Sequence, residues 1–127
     1  MRLVHRLLLA LSLTLGLGSA HALDIQPYSA DALSAAQQAG QPVALHFHAD
    51  WCPTCRAQTK VFQQFSADKV LDMTLLVVNY DKERELKRQL GVRTQSTLIV
   101  YRGAKETARL AGDTDADALR AALQSAL

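Results

Sequence analysis

The sequence predicts one α/β domain, a small mixed central sheet with helices on both faces. Two observations carry that prediction. Strand-like and helix-like segments alternate along most of the chain, and the last two strand-like segments are joined by a tight turn, as in a hairpin. A third observation sets the domain's start, because residues 1–22 do not read as part of the fold.

The elements follow in order. Ser29 to Gly40 carries a helix pattern, with Ser29 or Asp31 as N-cap, an alanine-rich body and Gly40 as a stop. In Pro42 to His48, Val43, Leu45 and Phe47 alternate with Ala44, His46 and His48, which predicts a strand. The period then changes: Val61, Phe62 and Phe65 recur at helical spacing, so Pro53 to Ser66 reads as a helix that begins right after Cys52. Met73 to Val78 is an apolar run suited to a strand buried on both faces. Lys82 to Leu90 is a charged helix closed by Gly91, reaching the core through Leu86 and Leu90. Thr97 to Tyr101 is a β-branched strand that ends at the turn signal Arg102-Gly103, with Glu106 to Leu110 as its hairpin partner. A last helix from about Thr114 should bury Leu119, Ala122, Leu123 and Leu127. A short strand around Leu23 to Ile25 could precede them all.

The first 22 residues read as a cleaved secretory signal. Arg2, His5 and Arg6 make a basic start, Leu7 to Leu17 is almost wholly apolar, and Ala20-His21-Ala22 has the form of a signal-peptidase site. The apolar run is shorter than the roughly 20 residues a membrane span needs. The mature domain is then 23–127, and a periplasmic location is expected. Of the 14 basic residues, Arg2 and Arg6 leave with the signal, so the mature domain is balanced against its 12 acidic residues. That balance gives no electrostatic case for nucleic acid or for an anionic membrane as partner.

The chemistry points to the only two cysteines, Cys52 and Cys55. They lie where a strand hands over to a helix, with Pro53 at the first helical position that proline favours. The start of a helix presents unpaired N–H groups and a partial positive charge. A thiolate there is stabilised, which lowers a cysteine pKa from about 8.5 into a range of roughly 3.5–7.5. Cys52 is therefore the better attacking group, and Cys55, three residues on, can close a disulfide with it. Other readings of the pair stay open. A structural disulfide would constrain little chain over so short a loop. A zinc site would need about four ligands, with His46 and His48 converging on the cysteines. Soft-metal carriage, such as Cu(I) on two thiolates, is the main non-enzymatic alternative.

The segment Phe47-His48-Ala49-Asp50-Trp51-Cys52-Pro53-Thr54-Cys55-Arg56 resembles the active-site region of the thioredoxin family. Val78-Asn79-Tyr80-Asp81, Leu90-Gly91-Val92-Arg93 and Thr97-Leu98-Ile99-Val100-Tyr101 are similar to later family segments, in the right order. The W-C-P-T-C stretch also resembles periplasmic reductants that serve cytochrome c maturation. The resemblance implies a thioredoxin fold over nearly all of 24–127. It implies Cys52 as nucleophile, Cys55 as resolving thiol and Trp51 as a flanking wall. Pro53, Thr54, Gln95 and Ser96 would complete the substrate-binding surface.

Three departures from the family pattern stand out. The family usually has a cis-proline where this chain has Ser96. A cis bond before serine would cost about 2.5–4 kcal/mol, so a trans bond with a reshaped loop is one outcome. Its hydroxyl could bond a thiolate, or Ser96 could be a loop residue without a chemical role. The family's buried Asp is replaced by His46, which suits a proton relay to Cys55 or a packed core histidine. The lysine partner of that Asp is replaced by Val77. His48 shares its parity with His46, and solvent exposure at the strand end is expected for it.

The resulting expectation is a protein dithiol–disulfide oxidoreductase, in the reductant direction. It needs no cofactor and no metal, because the cysteines carry the electrons. Its partners would be protein thiols and disulfides and a redox protein that resets the pair. The domain is expected to be a monomer, with no nucleic acid or membrane partner after signal cleavage. The non-enzymatic readings are a copper carrier or a thiol-binding adaptor built on the same cysteines.

Overall fold

The protein's structure, a computed structural model, describes residues 22–127. Residues 1–21, all of the expected signal segment but Ala22, lie outside those residues. The described elements are β1 (Asp24–Pro27), α1 (Ala30–Gln38), β2 (Pro42–His48), α2 (Pro53–Phe65), β3 (Thr74–Asn79), α3 (Arg84–Leu90), β4 (Thr97–Arg102), β5 (Lys105–Ala111) and α4 (Ala116–Gln124). The optional first strand exists. Among the described residues, no helix is long and apolar enough to cross a membrane.

The sheet order is β1-β3-β2-β4-β5. β1, β3 and β2 run parallel, while β4 is antiparallel to both β2 and β5. This places β2 at the centre, and its side-chain alternation divides the core between two faces. Val43, Leu45 and Phe47 join Leu76, Val78 and Ile99 under α1 and α3. On the other face Ala44, Leu75, Leu98 and Val100 pack against Phe62 and Phe65 of α2 and Leu119 and Leu123 of α4. Each such fully buried apolar side chain contributes about 1.5–3 kcal/mol. His46 shares the face of Ala44 and so points beneath α2.

Local chemistry explains where the helices begin and stop. Ser29 caps α1 by accepting from the Ala32 N–H at 3.0 Å. Asp115 caps α4 by accepting from Ala118 at 2.9 Å, which starts that helix at Ala116. α3 starts at Arg84, later than Lys82, because the Asn79 side chain accepts from the N–H groups of Asp81 and Lys82 and holds a turn there. Gly91 ends α3 with φ 67°, in the left-handed conformation that glycine adopts without strain.

One core assignment is corrected. Leu127 is 49% exposed, and Ala126 is buried in its place. α4 stops at Gln124, so the apolar spacing of Leu119, Ala122 and Leu123 continues to Ala126 through a terminal turn and leaves Leu127 outside.

Candidate functional site

The first turn of α2 is built around Cys52. This residue is the N-cap, with Pro53 following as the first helical residue, and its Sγ accepts from the Cys55 N–H at 3.1 Å. The Cys52 N–H donates to Ala49 O at 3.0 Å, which fixes the handover from β2. Both cysteines are free and buried. Ala49 and Tyr80 pack against them. Trp51 stands outside, 58% exposed, with its indole N–H donating to Asp81 at 2.8 Å. Pro53 is exposed, and Thr54 and Gln95 are half-buried.

The two thiols titrate in opposite directions. Burial pushes Cys52 up. Hydrogen bonds from the Cys55 thiol, the Ser96 hydroxyl and the backbone N–H groups of Cys55 and Thr54 outweigh it, so its pKa falls below the ordinary value. Burial also raises Cys55, and the hydrogen bond it gives to Cys52 raises it further, against weaker opposition from Ser96. Cys52 is thus the more acidic thiol of the pair and the first to ionise.

Ser96 faces them from the opposite side. Its Oγ lies 3.2 Å from Cys52 Sγ and 3.1 Å from Cys55 Sγ. The peptide bond before it is trans, because no cis bond occurs among the described residues. Ser96 is instead the only non-glycine there with positive φ, at 66°. Three hydrogen bonds hold that conformation. The Ser96 N–H donates to Phe47 O at 2.9 Å, and its carbonyl accepts from Gly112 N–H at 3.1 Å and from Gln58 Nε2 at 3.0 Å. A left-handed non-glycine costs about 1–3 kcal/mol and persists only where its surroundings determine it. Here a trans bond and a reshaped loop stand where the family's proline would be.

Gln58 is the residue that sequence reading missed. It is fully buried on α2. Its amide donates to Ser96 O and, at 2.8 Å, to Asp113 O, which turns its carbonyl oxygen toward His46 Nε2 at 2.9 Å. Both amide hydrogens being used, His46 must donate from Nε2. The available signal was a polar residue at an apolar helix position, in step with Cys55, Phe62 and Phe65.

His46 itself is buried, with its ring edge-on to Phe62 at a centroid distance of 5.0 Å. Burial lowers its pKa to about 4, against the Gln58 hydrogen bond and with a smaller contribution from His48, so the imidazole is neutral near pH 7. No hydrogen bond joins it to either cysteine, and its connection to the site runs through Gln58. His48 differs from expectation: its side chain is only 17% exposed. It bonds Asp50 at 3.0 Å and lies 3.4 Å from the Thr59 hydroxyl, because the first turns of α2 cover the end of β2. The two imidazoles do not converge with the thiols, and no group of three or more His, Cys, Asp or Glu among the described residues could hold a metal ion.

With this geometry in place, likeness to known proteins decides the family. The thioredoxin family profile matches residues 28–125. This chain belongs to the thioredoxin family. It is 30% identical over 90 residues to the thioredoxin of Alicyclobacillus acidocaldarius, covering 71% of this chain and 86% of that one. Likeness to the thioredoxin of Chlamydia caviae is 34% over 77 residues, 61% of this chain and 74% of the relative. Among solved structures, the protein termed Trxlp of Edwardsiella tarda superposes with TM-score 0.75 at 37% identity, covering 79% of this chain and 98% of that one. Thioredoxin O2 of Arabidopsis thaliana, solved in its oxidised state, matches with TM-score 0.66 at 26% identity, over 80% and 91% of the two chains. As in a thioredoxin, a C-x-x-C pair at a helix start supports thiol–disulfide exchange.

Proposed function

We propose that this thioredoxin-family chain reduces disulfides in protein substrates, outside the cytoplasm. The observation that carries the reading is the divided pair, a Cys52 thiol pulled down in pKa beside a Cys55 thiol pushed up. Cys52 thiolate attacks one sulfur of a substrate disulfide, forming a mixed disulfide and releasing the other sulfur as a thiolate. Cys55 then loses its proton and attacks Cys52 Sγ, forming the Cys52–Cys55 disulfide and releasing the second substrate thiolate. The protein is oxidised by two electrons and the substrate reduced by the same two. Trp51, Pro53, Thr54 and Gln95 surround the pair as the surface that receives substrate. His46 is a positioning residue: through Gln58 it supports the loop carrying Ser96.

Direction is tested by the reduction potential of the pair in glutathione or dithiothreitol buffers. A value near about −270 mV supports a reductant, whereas one near about −120 mV marks an oxidant and overturns that part of the proposal. Cys52→Ser should abolish reduction of a protein disulfide, and full turnover by that variant would remove the exchange reading itself. Export by residues 1–22 is tested by fractionation of cells that express the full chain, with a mature protein beginning at Leu23 expected.

A further inference from the structure

The Ser96 hydroxyl has two sulfur neighbours at nearly equal distances and one hydrogen to give. Its backbone is locked by the bonds to Phe47, Gly112 and Gln58, and the residue is only 3% exposed. Turning the hydroxyl from one sulfur to the other needs rotation about the Cβ–Oγ bond alone. The family's proline at this position has no donor to offer either thiol.

We propose that Ser96 is a catalytic residue whose single hydroxyl hydrogen serves both halves of the exchange reaction, bonding the Cys52 thiolate before attack and the Cys55 thiolate during resolution. This rests on the exchange reading above. Before attack the negative charge sits on Cys52, and the hydroxyl and the Cys55 N–H both point at it. Attack converts Cys52 Sγ into a neutral disulfide sulfur, a weak acceptor. Charge must next develop on Cys55, whose buried Sγ has a distant backbone neighbour, Phe47 O at 3.9 Å, that can only accept from it. The Ala49 backbone supports charge there more weakly, and the Ser96 hydroxyl 3.1 Å away is the side-chain donor within reach; once turned to Cys55, a donor held at the developing charge lowers the barrier. The serine keeps its own hydrogen throughout. The proton shed by Cys55 goes to solvent, while the S–S bond to substrate breaks, the substrate sulfur leaves as a thiolate and the Cys52–Cys55 bond forms.

The test uses reduced protein and Ellman's disulfide, which releases one thionitrobenzoate on attack by Cys52 and a second on resolution by Cys55. Ser96→Gly and Ser96→Ala both remove the hydroxyl, but glycine relaxes the positive φ and alanine does not. Both variants should therefore slow the second release alike, by about tenfold to a hundredfold, the usual effect of losing a hydrogen bond to a charged group. The pH at half-maximal rate of the first release should also move upward in both. Second-release rates equal to wild type would overturn the proposal, as would a shift confined to the first release. Slowing in only one variant would overturn it too, tracing the effect to the backbone. If the wild-type protein releases no second thionitrobenzoate, the exchange reading fails first; if it does and the variants match it, only the role of Ser96 fails.

Discussion

On one side of the sulfurs stands the first turn of α2, and on the other the loop that carries Ser96. The helical side acts through its backbone. The Cys55 N–H points at Cys52 Sγ because three residues of helix place it there, and Pro53 adds a fixed φ. Few side chains are needed for that, so local sequence is enough to build it. The loop side acts through one hydroxyl, and its position depends on partners far away in sequence. Gln58 reaches Ser96 O across 38 residues and Asp113 O across 55. The same two thiols are thus held by one wall that is encoded locally and another that is encoded by tertiary contact. The wall built by tertiary contact should be the fragile one.

The largest expected effect is on the tertiary wall. Gln58→Leu keeps the volume but leaves the His46 Nε2–H and the Asp113 carbonyl without their partners, and removes one of two donors to Ser96 O. Each unsatisfied buried group costs about 1–3 kcal/mol, so a loss of about 4 kcal/mol in urea unfolding is expected. Thr54→Ala, on the helical wall, should cost less than about 0.5 kcal/mol. Equal losses would erase the contrast between the walls.

His46 gives the next effect, and it appears only in acid. Unfolded, this imidazole protonates below its ordinary value of 6.5, but folded only below about 4. Between those values the unfolded chain binds the extra proton, so stability is full above pH 6.5 and falls as pH drops toward 4. The integrated loss is about 3 kcal/mol. In His46→Gln this contribution should vanish, so the difference between the wild-type and variant stability curves should slope between pH 6.5 and 4 and flatten outside. A constant difference would show that His46 titrates alike in both states.

The same contrast explains what could be read from the sequence. The order of strands and helices was legible because each rests on local period and punctuation: Ser29 caps α1, and Gly91 closes α3. The cysteine pair was legible for the same reason, since its geometry is one helical turn. Only the extent of elements slipped, where Asn79 held a turn ahead of α3 and where Leu127 passed the end of α4. Ser96 could be singled out as a departure, yet its trans bond and positive φ depend on Phe47, Gly112 and Gln58, which no local pattern brings together. Likewise, parity could place His46 and His48 on one face of their strand. The partner of His46, Gln58, could not be named without the fold.

Restoring the family's proline is the smallest and sharpest test of the tertiary wall. Proline fixes φ near −65°, whereas Ser96 sits at 66°, and it has no N–H to give Phe47 O. Ser96→Pro therefore has to rebuild the loop and leave that carbonyl without its backbone donor, and a loss of about 2 kcal/mol is expected. Ser96→Gly, by contrast, should hold or raise stability, because glycine meets no penalty at positive φ. Proline should thus lower the urea midpoint and glycine should not, although both remove the hydroxyl. If proline were as stable as serine, the hydrogen bonds to Phe47, Gly112 and Gln58 would not be what selects the left-handed conformation. The loop would then be governed, like the turn of α2, by its local sequence.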